Sequence, residues 1–226
     1  MSQKYLGEVF DIHTGGIDLI PTHHENEIAQ SKGMCGKIPA NYWMHGEFLL
    51  INGGKMSKSL GNVYLLQDIV DRGYDPLVYK LFCYSIQYRK KLNFTWEGMD
   101  SAKIALDRLR EAYQKHLTGT EDVAEELISK YEKDFNEAIN DDLNMPVAMS
   151  VVWEVAKRTE KSKKLAELLK KFDRVLGIKI DEHKEEEIPD DIKELLTKRA
   201  EARKNKDWAE SDKIRDIIKE KGYIVK

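Results

Sequence analysis

Residues 21–27 read Pro21-Thr22-His23-His24-Glu25-Asn26-Glu27, and the reading of that string decides the N-terminal part of this 226-residue chain. Pro21 fixes its own φ and Thr22 can accept a bond from a free backbone N–H, so a helix is predicted that runs to Lys32 and ends at Gly33. Four residues apart, His23 and Glu27 share one face of that helix. An imidazole and a carboxylate so placed are two zinc ligands in need of two more, or a simple ion pair. A zincin protease would need a second histidine at position 28, which is Ile28.

A second block, Lys55-Met56-Ser57-Lys58-Ser59, follows the apolar run Phe48-Leu49-Leu50-Ile51 and the turn Asn52-Gly53-Gly54. This predicts a strand leading into a loop. Two lysines flanking Ser57 on a small-residue loop can wrap a polyphosphate and neutralise charge on a departing pyrophosphate.

Read together, the two blocks resemble the cysteinyl-tRNA synthetases. Tyr5-Leu6-Gly7-Glu8, Phe10-Asp11-Ile12-His13, Gly15-Gly16-Ile17-Asp18-Leu19, Tyr42-Trp43-Met44-His45 and Leu60-Gly61-Asn62 extend the resemblance. It continues through Tyr88-Arg89, Asn93-Phe94-Thr95-Trp96, Asp141-Asp142-Leu143-Asn144 and Trp208-Ala209-Glu210-Ser211-Asp212, and so covers nearly the whole chain. The Lys-Met-Ser-Lys-Ser string alone says class I synthetase; the His-His-Glu-Asn-Glu string points to cysteine.

The resemblance implies an α/β remnant of a class I, Rossmann-like catalytic domain, followed by a mainly α-helical bundle and a small C-terminal α(+β) module. The expected boundaries are residues 1–62 for the catalytic part, 63–97 for stem-contact helices, 98–178 for the tRNA-binding bundle, 179–188 for a linker and 189–226 for a truncated anticodon module. The family's HIGH motif and two zinc-binding cysteines have their place before the block matching Tyr5. On that basis the chain is expected to be the C-terminal half of a synthetase, inactive alone, with Met1 an internal methionine of a longer frame.

The implied activity joins L-cysteine to tRNA(Cys) through cysteinyl-adenylate, with zinc in the full-length chain and Mg2+ accompanying ATP. His23 and Glu27 are the expected metal ligands. Lys55 and Lys58 are the expected catalytic pair, with Lys58, Ser57, Met56, Gly16 and Asp18 on ATP. His13 and His24 are either pocket residues or packing. Arg89, Lys161, Lys164 and Trp208 are candidate tRNA contacts. A cysteine:glucosaminyl-inositol ligase and a non-enzymatic tRNA-binding paralogue are the alternatives.

Composition fits a folded intracellular piece. Apolar residues make up 41% of the chain, enough to fill one or two cores. A net charge of −3 gives no global pull on nucleic acid, so any RNA contact must be local. No apolar run approaches the ~20 residues that span a bilayer, and a cytoplasmic monomer without membrane partners is expected of the full-length protein. Cys35 and Cys83 stand too far apart for a CxxC knuckle.

Further along, Leu65–Asp71 and Pro76–Tyr88 are predicted helices. Four amphipathic helices follow. They carry Met99 to Leu117, then Val123 to Ala138 after a Thr120 cap, then Ala148 to Val155 after Pro146, and Leu165 to Leu176 before Gly177. Between Glu154 and Arg174 eight basic residues face four acidic ones, which suits either a phosphate backbone or a solvated face. Two short helices, near 192–204 and 208–221, and a strand-like Tyr223-Ile224-Val225 close the chain.

Overall fold

A computed structural model describes residues 2–182, 190–205 and 207–221. The chain divides into two units, Met1–His183 and Lys184–Lys226.

In the first unit, α1 (Ser2–Leu6) precedes β1 (Phe10–Gly16). A 3-10 turn at Ile17–Leu19 and a π-turn at Ile20–His24 then feed α2 (Glu25–Cys35). β2 (Ala40–Gly46) returns parallel to β1, with His13 opposite Trp43 and Gly16 opposite Gly46. A parallel pair needs such a crossover, and here α2 supplies it. The helix departs from its predicted ends. It opens without a side-chain cap, because the π-turn runs directly into it. It passes through Gly33 and stops at Gly36, where φ is 74° and the left-handed cap is free of a Cβ penalty.

β3 (Leu49–Ile51) and β4 (Gly54–Lys55) form a hairpin around Asn52 and Gly53, both at positive φ. β5 (Leu92–Phe94) lies parallel to β3 on its other edge. β2 and β3, separated by only Glu47 and Phe48, thus belong to different sheets.

Between them lie α3 (Leu66–Asp71) and α4 (Pro76–Cys83). α4 ends before the predicted Tyr88, its last turn tightened by bonds from the Tyr84 and Ser85 N–H groups to Leu81 and Phe82. Tyr88 is instead drawn to Asp142, whose carboxylate accepts from its hydroxyl at 2.7 Å.

The bundle consists of α5 (Trp96–Leu117), α6 (Glu125–Asn140), α7 (Met145–Ala156) and α8 (Lys163–Leu176). Its core joins Leu106, Leu109, Val152, Val155, Leu165 and Leu169, all inaccessible to solvent. Phe135 and Phe172 stack with centroids 4.1 Å apart. Thr120 does not cap α6; it bridges Ser162, and the helix starts from Ala124 without a side-chain cap. Leu117, predicted in the apolar stripe, is 42% exposed at the end of α5.

The connecting helices are locked to the bundle. Lys80 donates to the Gly177 carbonyl and Tyr84 to that of Leu176. Buried Arg110 donates to the carbonyls of Lys179 and Ile178 and pairs with Asp75 and Glu182. Buried Asp173 accepts from the Ile178 and Ile180 N–H groups.

In the second unit, α9 (Asp190–Lys204) and α10 (Trp208–Glu220) bury Ile192, Ala202, Ile214 and Ile218. Asp207 caps α10 by accepting from the Glu210 N–H. The predicted strand at Tyr223–Val225 and most of the acidic stretch before Pro189 lie outside the described residues. An α/β portion followed by helices is the architecture that the sequence predicted.

Candidate active site

The parallel strands bring four imidazoles and a carboxylate to one place. Alternation along β1 puts His13 and Gly15 on one face, and register sets Trp43 and His45 of β2 beside them. The π-turn and first turn of α2 supply His23, His24 and Glu27. His13 and Trp43 sit midway along β1 and β2, while Gly15, His45 and the π-turn lie toward the carboxyl ends, where open α/β sheets bind ligands.

Glu27 uses both its oxygens. Its Oε2 accepts from His13 Nε2 at 2.7 Å, and its Oε1 is 3.8 Å from His23 Nε2. His24 is 3% exposed, and its Nδ1 shares a hydrogen bond of 2.8 Å with His45 Nε2. Trp43 packs against both His13 and His24, with ring centroids 4.7 and 5.0 Å away. Burial, and then the neighbouring imidazoles of His13 and His45, hold the His24 pKa below its usual range. Ligand atoms of His13, His24 and Glu27 lie within 4.8 Å of one another. Neutral imidazoles with one carboxylate are a donor set that zinc accepts.

A side chain at either glycine before the π-turn would require its neighbours to move. A Cβ on Gly15 would stand 2.7 Å from His24 Cε1 and 2.8 Å from Leu19 Cδ1. A Cβ on Gly16 would strike the carboxylate of Asp18, which folds back over it.

In the second block, Lys55 ends β4 and is exposed, while Met56 packs partly buried against the core. The side chain of Lys58 lies outside the described residues. Ser57 and Ser59 share a hydroxyl bond of 2.7 Å. Asn62 closes the loop, accepting from the Ser57 N–H at 2.8 Å and donating to the Lys55 carbonyl at 3.0 Å.

The candidate RNA-contact residues are more engaged than their charge suggested. Arg89 pairs with Asp142 at 2.8 Å. Lys164 reaches Asp122 and Glu125, both at 2.8 Å, and these partners raise its pKa. The Lys161 ammonium donates to the Arg158 carbonyl. Trp208, the first residue of α10, is 59% exposed. The sequence placed His45 and Asn62 within the matching stretches but assigned neither a role in the site. Alternation along β2 carried a signal for His45, since it shares a face with Trp43.

Comparisons with known proteins match three segments of the chain. Residues 1–104 match the tRNA synthetases class I (C) catalytic domain, 134–181 the DALR domain and 185–226 the cysteinyl-tRNA ligase anticodon binding domain. Cysteine--tRNA ligase 1 of Burkholderia lata is 42% identical over the whole chain, which covers 47% of that relative. The cysteine--tRNA ligases of Protochlamydia amoebophila and Bacillus cereus strain B4264 are 38% and 42% identical, again over the whole chain, with 50% and 52% of their lengths covered. The chain therefore spans about half the length of the curated relatives it matches. In fold, it is similar to the Agrobacterium radiobacter K84 agnB2 LeuRS in its ternary complex, with TM-score 0.57 and 16% identity over 74% of this chain and 26% of that one. No described helix is long and apolar enough to cross a membrane. With the histidine–glutamate cluster and the Lys-Met-Ser-Lys-Ser loop inside the matched catalytic segment, and relatives of one kind along its whole length, the chain is similar from end to end to the cysteinyl-tRNA synthetase family.

Proposed function

We propose that this chain supplies the cysteine-selecting and pyrophosphate-handling elements, together with the tRNA-binding part, of a cytoplasmic cysteine–tRNA ligase. ATP and L-cysteine give cysteinyl-adenylate and pyrophosphate, after which the cysteinyl group passes to the terminal ribose of tRNA(Cys). The observation that carries this reading is the two-sided use of Glu27. Two donors bound to one tetrahedral zinc at ~2.0–2.1 Å lie roughly 3.4 Å apart. The 3.8 Å between His23 Nε2 and Glu27 Oε1 is close to that separation, whereas 2.7 Å from His13 to Oε2 is a hydrogen bond. This supports His23 and Glu27 as ligands, with His13 orienting the carboxylate from outside the metal shell.

Zinc, when bound, supplies a soft acid that takes a thiolate and discriminates against the alkoxide of serine. His24, held neutral and fixed by His45, packs against the metal-binding turn and lines the pocket with Trp43. Gly16 and Asp18 lie against the nucleotide. As the cysteine carboxylate attacks the α-phosphate, Lys55 and Lys58 offset the charge that gathers on departing pyrophosphate, with Ser57 and Met56 shaping the loop and Mg2+ accompanying ATP. The sequence holds no His-x-Gly-His string. Alone, the chain is therefore proposed to bind tRNA without charging it. The amine-ligase alternative leaves the anticodon-binding match at 185–226 without a purpose.

The test is a fusion with the portion of the Burkholderia lata relative that this chain does not match. Cysteine-dependent, serine-independent ATP–pyrophosphate exchange is expected, lost in Lys58→Ala. Exchange by the 226-residue chain alone, or a fusion that charges another amino acid, would contradict the proposal.

A further inference from the structure

Between α5 and α8 lies a groove of about 520 Å³. Its apolar lining comes from Tyr113, Leu117 and Ala166. Lys163, Lys170, Lys171 and Arg174 of α8 also line it, against one acid, Glu167. Lys163 and Arg174 are eleven positions apart on one helix, hence about 16 Å apart along its axis.

The four cations differ in availability. Lys170 pairs with Asp181 and Lys171 with Glu132, both through exposed side chains whose pairing contributes little and exchanges readily. No acidic partner is found for Lys163 or Arg174 among the described residues. By contrast, Arg89 and Lys164 are already paired. The groove thus carries two cations without an acidic partner and two loosely paired ones, in a chain that is acidic overall; elsewhere in this stretch Lys157 lies over the Trp153 ring and the Lys161 ammonium donates to the Arg158 carbonyl.

We propose that this groove is an RNA contact that seats an unstacked nucleotide, its base against Tyr113, with the strand running on over more than one nucleotide step so that phosphates on either side of that base reach Lys163 and Arg174. A nucleotide has an apolar face and anionic edges, and the groove offers an aromatic ring and aliphatic surface between cations. Stacking on an aromatic side chain is how splayed bases of RNA loops are held. An acidic amphipathic helix fits less well. It needs apolar anchors repeated over two turns or more, and this lining offers Tyr113, Leu117 and Ala166 only. The inference rests on the tRNA reading above and adds the surface, the residues and the unpaired state of the nucleotide.

The test measures binding of tRNA(Cys) transcript to the full 226-residue chain across a salt series. Lys163→Gln with Arg174→Gln should weaken binding about tenfold or more and reduce the slope of log affinity against log salt by between about 1 and 2. Tyr113→Leu should weaken binding without altering the slope, while Tyr113→Phe should bind as the parent. Thermal melts of each variant report folding, and amide-exchange protection of residues 113–117 and 163–174 on adding tRNA reports the location. Unchanged affinity and slope in the double glutamine variant overturn the groove proposal and leave the tRNA reading standing. Failure of the unaltered chain to bind tRNA overturns both. Binding of a poly-glutamate peptide that tRNA does not displace assigns the groove to a protein partner and overturns it as well.

Discussion

Asp142, at a φ of 52° in the turn between α6 and α7, accepts a hydrogen bond of 2.7 Å from the hydroxyl of Tyr88, 54 residues earlier in the chain. The same carboxylate takes Gln87 and Arg89, so one side chain gathers the segment after α4 onto the bundle. The Tyr88 bond and the Arg89 charge hold the Asp142 carboxyl below its usual pKa. A depressed carboxylate stabilises the fold above its unfolded value, near 3.8, and loses that contribution as pH falls through the lower folded value.

Asp142→Asn tolerates the left-handed backbone, since asparagine visits that region readily. Its expected effect is local. The global melting temperature should shift by no more than a few degrees, because the network is exposed. Amide exchange should rise across residues 84–91. Equal protection in variant and parent would show that the segment is held elsewhere.

The stack of Phe135 on Phe172 lies where α6 meets α8, with both rings almost wholly buried. Phe172→Ala should destabilise the bundle by about 3–5 kcal/mol through lost burial and a residual cavity. Urea titration followed by far-UV dichroism checks this, with Phe172→Leu falling between parent and alanine.

Arg110 is a buried cation satisfied by two carbonyls and two carboxylates. Arg110→Ala should cost about 3–5 kcal/mol, since Asp75 and the carbonyls of the 178–179 loop lose a shared donor. Arg110→Lys should restore only part, as one ammonium cannot reproduce the guanidinium fork. The same urea titration decides it.

His116 is inaccessible, with Nε2 at 3.1 Å from the Val155 carbonyl and Nδ1 without a hydrogen-bond partner among the described residues. Burial first, and then the Lys161 charge, lower its pKa below 6.5. Below 6.5 the unfolded imidazole binds a proton that the folded one does not, so stability falls as pH drops below that value. Melting temperature should decline between about pH 7 and 5, and His116→Leu should flatten that decline. His24 acts in the same direction and remains in the variant, so the difference between the two curves isolates His116.

The bundle was legible because its evidence is local. Leu106, Leu109, Leu165, Leu169 and Phe172 recur at helical spacing, and Pro146 and Gly177 punctuate it. Strand identity in the catalytic part was less so, because β5 pairs with β3 across some forty residues. Helix ends were the weakest inference. Gly33 and Gly36 are equally plausible stops in sequence, and only the backbone at Gly36 turns left-handed. In the candidate site the i, i+4 pair was visible along one helix. The approach of His13 to Glu27 was not, since it requires β1 and α2 to be brought together by the crossover.

That crossover also decides what metal binding should look like. If His23 and Glu27 are ligands and His13 only orients the carboxylate, the three side chains should differ in kind when removed. In the fusion with the unmatched portion of the Burkholderia lata relative, alanine at Glu27 or His23 deletes a donor, so zinc or cobalt affinity, measured by competition with a chromogenic chelator, should fall too low to quantify. His13→Gln keeps a hydrogen-bond donor near the position of Nε2, in reach of Oε2, and should be nearly silent, whereas His13→Ala should weaken binding about 10- to 100-fold. Gly15→Ala should resemble His13→Ala, because its Cβ would displace the His24 ring packed against Gly15. Were His13→Ala to abolish binding while His23→Ala left it intact, the ion would instead sit among His13, His24 and Glu27, the other grouping whose ligand atoms lie within 4.8 Å of one another.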